Sequence, residues 1–179
     1  PRVVGDDTIA WLKRGLVAGM AQNARFELKG ALAGFPWPQG DGRFKVDVPT
    51  RGVTLDYGED WPALTDVSGP LRFEGMKMTI HGAKARWGEV ILDKVDVQIP
   101  DLENDLRVLV NGQGHGPTAA FLRFVKESPV QAATEGALDT LKAEGRGQLG
   151  LKLAIPIEDP DRSTVSGFYR IDQNRLDFG

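Results

Sequence analysis

Apolar and polar residues alternate with a period of two along most of this chain. The alternation is strictest near the C-terminal end, where the apolar set is Leu149, Leu151, Leu153 and Ile155. Because successive side chains of a β-strand point to opposite faces, such stretches predict strands with one apolar face. The pattern therefore predicts a mainly β fold, with a β meander over residues 24–111 and β hairpins over residues 145–178. We expect one twisted antiparallel sheet of roughly eight to ten strands.

Two regions break this period and predict short helices. Residues 7–20 carry one apolar stripe at spacings of three and four, formed by Ile9, Leu12, Leu16 and Met20. The second region, residues 117–143, predicts a helix at 117–126, which Thr118 can cap, and another at 136–143. We expect these helices to pack at one end or on one face of the sheet.

Residues 68–80 (SGPLRFEGMKMTI) and 166–178 (SGFYRIDQNRLDF) have similar patterns. Both begin with Ser-Gly, and apolar and charged residues recur at matching positions. Each stretch predicts a hairpin, with the bend at Glu-Gly in the first and at Asp-Gln-Asn in the second. The pair indicates two copies of one structural module in a larger β array, and the alternative is a chance similarity of two amphipathic hairpins.

The bulk composition is that of a folded globular segment, with 179 residues, 41% hydrophobic and 26% charged. The formal net charge is -3, and Lys and Arg are not clustered as a nucleic-acid partner would require. The chain has no cysteine, which excludes disulfides and thiolate metal sites. It begins with Pro1, and its apolar runs are shorter than the ~18 residues of a membrane span. We therefore expect a piece of a longer protein, with any membrane anchor outside it.

Three segments are specific enough to compare with known families: FELKGALAGFPW after the first predicted helix, the LDYGEDWP turn, and the FVKESP helix followed by LKLAIPI. In this order they resemble the central periplasmic region of the YhdP family, AsmA-like envelope proteins related to TamB. The likeness runs through nearly the whole chain. It implies a sheet that forms a segment of an open hydrophobic groove, in a periplasmic protein anchored to the inner membrane. It further implies phospholipid transfer between the inner and outer membranes, and so a part in outer membrane biogenesis.

Eight residues are candidate lining positions of such a groove, because each lies on the apolar side of its strand and these sides are expected to coincide. They are Leu71, Phe73, Met78, Ile80, Val95, Val97, Leu151 and Leu153. On this hypothesis the partner is phospholipid, and we expect no catalytic residue, no metal and no cofactor. The alternative is a structural or protein-interaction β module of the cell envelope, in which helices cover the apolar face and the surface binds a protein partner. The sequence leaves both open.

Other motifs favour structural roles over chemistry. The stretch GQGHGP, residues 112–117, has the placement of a phosphate-binding loop but no parallel βαβ unit around it, so it favours a strand-to-helix turn. His81 and His115 have no second ligand at the helical or hairpin spacing of a zinc site. The acidic stretches 101–105 and 158–162 lack the spaced ligands of a calcium loop, and no serine lies in a hydrolase elbow.

The large aromatic and sulfur side chains also favour packing roles. The tryptophans are Trp11, Trp37, Trp61 and Trp87, and their scatter favours core and loop-anchoring positions over a sugar-binding platform. Met76 and Met78 favour plain core over an adaptable lining for acyl chains.

Overall fold

The computed structural model describes residues 16–21, 23–35, 37, 40–56, 60–134, 136, 138, 141–159 and 162–177. These residues form one open antiparallel sheet of nine strands, which confirms the mainly β fold. The strands are β1 (Leu16–Ala21), β2 (Arg25–Lys29), β3 (Arg43–Leu55), β4 (Leu64–Glu74), β5 (Lys77–Trp87), β6 (Val90–Ile99), β7 (Arg107–Pro117), β8 (Lys142–Pro156) and β9 (Thr164–Asp177).

Strands β3 to β9 lie side by side in chain order. β1 and β2 both pair with β3, along its C-terminal and N-terminal halves, so they share one edge of the sheet and β9 forms the other. Helix α1 (Thr118–Lys126) and the short helix α2 (Val130–Ala133) connect β7 with β8, and a 3-10 turn (Leu32–Gly34) follows β2. No helix within the described ranges is both long and apolar enough to cross a membrane.

Two prolines face each other across the β3–β4 ladder, near the edge that carries β1 and β2. Pro49 of β3 lies directly opposite Pro70 of β4. Neither has an amide hydrogen, so the two can only form a non-hydrogen-bonded pair. In such a pair the backbone nitrogens point away from the partner strand, so that of Pro49 points away from β4 and that of Pro70 towards β5. On the β3 side this position coincides with the gap between β1 and β2. On the β4 side it coincides with the irregular pairing between Ser68 and Leu71.

Two of the helix predictions are wrong where the structure can be compared with them. Residues 7–15 of the helix predicted at 7–20 lie outside the described residues, but Leu16–Ala21 is strand β1, paired with β3. The helix predicted at 136–143 is also wrong, because Lys142 and Ala143 begin β8 and Gly136 has a positive φ of 78°. The helix predicted at 117–126 corresponds to α1.

The two stretches with similar patterns fold differently. Residues 68–80 form the expected hairpin, in which Glu74 pairs with Lys77 around Gly75. Residues 166–177 belong to one continuous strand, β9, that does not reverse direction, so the second predicted hairpin is wrong and the repeated module loses its structural basis. β9 continues past the expected bend because β8 pairs with it from Lys142 to Ala154, with one register shift between Glu144 and Arg146.

Glycine-containing bulges bend the middle of the sheet. Gly52 of β3 and Gly82 of β5 both have φ of 61°, a conformation that glycine adopts readily. The Gly52 amide donates to Ser68 Oγ at 3.2 Å, and the Gly82 amide donates to Asp96 Oδ1 at 2.7 Å. Because a bulge places two residues opposite one, it bends its strand and increases the twist. The core and the main pocket lie on the apolar face of the sheet, which we call the concave face, and we call the opposite face convex.

Candidate functional site

The concave face carries a continuous apolar trough. One row of directly opposed residues crosses five strands, and it consists of Leu71, Ile80, Val97, Val110 and Leu153. Opposed residues of antiparallel strands point to the same face, so the row forms one surface. The described residues that line the trough are apolar or glycine, and none is charged. The free cavity between its walls has a volume of ≈ 100 Å³.

Small side chains form the bottom of the trough. Ala83 lies opposite Val95, and Val95 lies opposite Gly112. A Cβ on Gly69 would come within 2.9 Å of the Ala83 Cβ, so β4 and β5 approach each other closely here. A Cβ on Gly112 would meet nothing within 4 Å, so this glycine faces open space. Larger side chains on both sides of this line form the walls.

The structure places all eight candidate lining residues on the concave face. Seven of them line the trough: Leu71, Met78, Ile80, Val95, Val97, Leu151 and Leu153. Phe73 lies at the end of β4, opposite Met78, and packs against the same core. Ile80, Leu151 and Phe73 are half-buried, whereas the other five are buried. Their contact with lipid stays a prediction.

Sequence reasoning missed part of the lining, above all the residues of α1. Phe121 and Phe124 both line the trough, although they belong to the connection between β7 and β8. Their helical spacing indicates only an apolar helix face and not what that face covers. Gly112 and Gly114 were also missed, and here a signal exists: a glycine inside a strand often marks a close backbone approach, as at Gly114, whose Cβ would lie 2.7 Å from Ile91 O.

Helix α1 packs across one wall of the trough. The Phe121 ring lies 5.0 Å from the Tyr169 ring, and the Phe124 ring lies 5.1 Å from the Trp87 ring. The Tyr169 hydroxyl donates to Thr118 Oγ1 at 2.8 Å, so Thr118 binds β9 and does not cap its own helix. The apolar face of the sheet is therefore partly covered.

Charged side chains of β3 and β4 pair on the convex face. Asp47 accepts a hydrogen bond from Arg72 Nε at 2.5 Å, and Lys45 Nζ lies 3.2 Å from its carboxylate. The Arg72 hydrogen bond outweighs desolvation and lowers the pKa of Asp47 below its ordinary value of 3.8. In the same way, a hydrogen bond from Arg107 lowers the pKa of Asp105. The lining keeps no titratable group among the described residues, so the trough can act through burial of apolar surface.

The glycine-rich stretch 112–117 is not a turn. It continues β7 as far as Pro117, and α1 begins at the next residue. Its register pairs Gly112 with Leu151 and Gly116 with Gly147 of β8. The predicted strand-to-helix turn is therefore wrong, and no phosphate-binding loop forms at this position.

Both histidines pair with aspartates of β6. His81 Nδ1 lies 2.7 Å from Asp96 Oδ1, and His115 Nδ1 lies 2.6 Å from Asp93 Oδ2. Sequence spacing missed these partners because they come from the neighbouring strand. Within the described parts of the chain, no group of three or more His, Cys, Asp or Glu side chains could hold a metal ion. Asp101 of the acidic stretch 101–105 accepts backbone hydrogen bonds from the two residues that follow Leu102, which gives a tight turn.

The described tryptophans and Met78 occupy three kinds of position: a loop anchor, the core and the trough lining. Trp37 is buried and its indole donates to Ala31 O at 2.7 Å, a loop-anchoring role. Trp61 is buried in the core beside α1, Trp87 lines the trough, and Trp11 lies outside the described residues. Met78 also lines the trough.

Comparisons with known proteins are consistent with this architecture. The family model described as "YhdP protein" matches residues 1–179. The curated protein "Intermembrane phospholipid transporter YhdP" of Escherichia coli (strain K12) is 29% identical over 176 residues. The match covers 97% of this chain and 14% of that protein, so the chain spans well under two thirds of its relative's length. No solved structure matches the chain.

Proposed function

The chain belongs to the YhdP protein family, and on that premise we propose that it is a non-enzymatic segment of a periplasmic, bridge-like lipid-transfer protein. In this proposal the trough shields phospholipid acyl chains between the inner and outer membranes, while an anchor elsewhere in the parent protein holds it at the inner membrane. The name of the Escherichia coli relative, an intermembrane phospholipid transporter, supports the choice of substrate.

The observation that carries the proposal is the lining of the trough. It is apolar across neighbouring strands from β4 to β8, without a charged side chain among the described lining residues. Each methylene of an acyl chain that leaves water gains about 0.8 kcal/mol, so such a surface holds chains without a specific polar contact. The head group needs no binding residue here if it remains in water.

Photo-crosslinking at two adjacent positions of β8 tests this proposal. Leu151 lines the trough and is half-buried, whereas Lys152 is exposed on the convex face. A photo-crosslinking amino acid replaces one or the other in the full-length parent protein in cells. We expect phospholipid adducts from position 151 and not from position 152. Equal labelling, or no adduct at 151 in a protein that remains folded, would contradict the proposal.

The burial of the concave face is also compatible with a second function. Val97 is 8% exposed and Leu153 is 6% exposed, and α1 packs over part of the same surface. This degree of closure fits a structural or protein-interaction module of the envelope equally well. That function predicts protein adducts from convex positions such as 152 and no lipid adduct from position 151.

A further inference from the structure

Helix α1 is not part of the backbone ladder that joins β7 to β8. β7 and β8 pair directly along their whole length, from Arg107 opposite Pro156 to Pro117 opposite Arg146. Helices α1 and α2 are therefore an insertion between two strands that are already joined. The backbone hydrogen bonds of the trough walls do not depend on the helix.

Side-chain packing holds α1 on the sheet: Ala120 is fully buried and Phe121 is buried beside Val90. Phe121 and Phe124 enter the trough, and the Tyr169 hydroxyl donates to Thr118. A further contact lies at the surface, where Arg123 is 3.0 Å from Glu89 and both side chains are more than half exposed. Gly147 leaves room for the Tyr169 side chain, because a Cβ at position 147 would come within 2.2 Å of the Tyr169 hydroxyl oxygen.

From these contacts we infer that α1 is an internal lid, whose Phe121 and Phe124 rings fill trough space that an acyl chain would take. Ring and acyl chain have the same apolar chemistry, and both cannot lie in one place. An acyl chain therefore enters this part of the trough only when α1 moves outward. This inference rests on the proposed function and adds regulation to it, since the lid sets how readily the trough fills.

The first test loosens the lid. Tyr169→Phe removes the hydroxyl that binds Thr118 and keeps the ring against Phe121. The loss of one hydrogen bond shifts an equilibrium about fivefold. The probe is a phosphatidylethanolamine with a diazirine in its acyl chain, presented in vesicles of phosphatidylethanolamine and phosphatidylglycerol. We expect about fivefold more labelling of the purified variant chain, and labelling equal to that of the unaltered chain would contradict the inference.

The second test locks the lid. The chain has no cysteine, so Glu89→Cys with Arg123→Cys supplies a unique pair that a short bismaleimide can link. Lys84→Cys with Lys94→Cys is the matched control, because both residues are exposed on the convex face of β5 and β6. We expect at least tenfold less labelling after linkage of the α1 pair and no change in the control. Unchanged lipid labelling of the cross-linked chain would refute the inference that α1 is a lid.

Binding of an apolar dye distinguishes a failure of the lid inference from a failure of the proposed lipid-transfer function. Binding of 1-anilinonaphthalene-8-sulfonate is measured on the loosened, locked and unaltered chains without vesicles. If dye binding follows the state of the lid but lipid labelling is absent throughout, the lid is upheld and the proposed function fails. If neither probe responds to the lock or to Tyr169→Phe, the lid is refuted.

Discussion

Replacing Val97 with aspartate should strongly destabilise the chain. Val97 is 8% exposed and lies between Ile80 and Val110 in the row that crosses the trough. Loss of a buried valine side chain forfeits about 1.5–3 kcal/mol. An unpaired carboxylate in an apolar site adds several kcal/mol, and no charged residue among the described lining positions can pair with it. We expect a loss of about 4 kcal/mol or more at pH 7, against a typical domain stability of about 5–15 kcal/mol.

Urea unfolding followed by circular dichroism measures this loss. The matched control is Gln113→Asp, because Gln113 is exposed on the convex face and lies opposite Lys94. We expect the control to stay within about 0.5 kcal/mol of the unaltered chain. Leu153→Asp, at 6% exposure, should behave like Val97→Asp.

An open groove predicts a different outcome for the same variant. If water reaches Val97, the carboxylate stays hydrated and most of the penalty disappears. A Val97→Asp chain that unfolds within about 1 kcal/mol of the unaltered one would refute the closed packing on which the magnitude depends.

Three further predictions concern other positions. Gly114→Ala should cost about 1–3 kcal/mol in urea unfolding, because its Cβ would lie 2.7 Å from Ile91 O, whereas Gly112→Ala meets nothing within 4 Å and should not destabilise. Asp47→Asn should lower the unfolding midpoint at pH 7. Because the folded pKa of Asp47 is lowered, this difference is fully present above pH 3.8 and should vanish as the pH falls below that value through the folded pKa. Phe168 is 57% exposed on edge strand β9, so sedimentation should show self-association that Phe168→Lys weakens.

Local alternation was sufficient to predict the strands that pair over their full length. The apolar set from Leu149 to Ile155 predicts β8, because burial of one face leaves no other register. The same logic placed the candidate lining residues on one face before any partner strand was known. Alternation determines which residues share a face, and this part of the site needs no tertiary information.

The failures have a common cause in tertiary pairing. Residues 16–20 fit a helical stripe as well as a strand, and the neighbouring length of β3 decides between the two. Asp172, expected at a hairpin bend, lies opposite Arg146 in a ladder that continues beyond it with one register shift. The position of α1 could not be predicted either, since an amphipathic helix shows which face it buries but not the surface that receives it.

Each bulge in β5 and β6 shifts the alternation of apolar residues along its strand by one position. In β5 the inward residues are even-numbered as far as Ile80 and odd-numbered from Ala83, and in β6 the change falls between Leu92 and Val95. β7 has no such change and keeps even-numbered inward residues throughout. A shift in the phase of apolar alternation within one strand thus marks where that strand bends. In this chain, the positions of the bulges in β5 and β6 can therefore be read from the parity of the apolar residues, without coordinates.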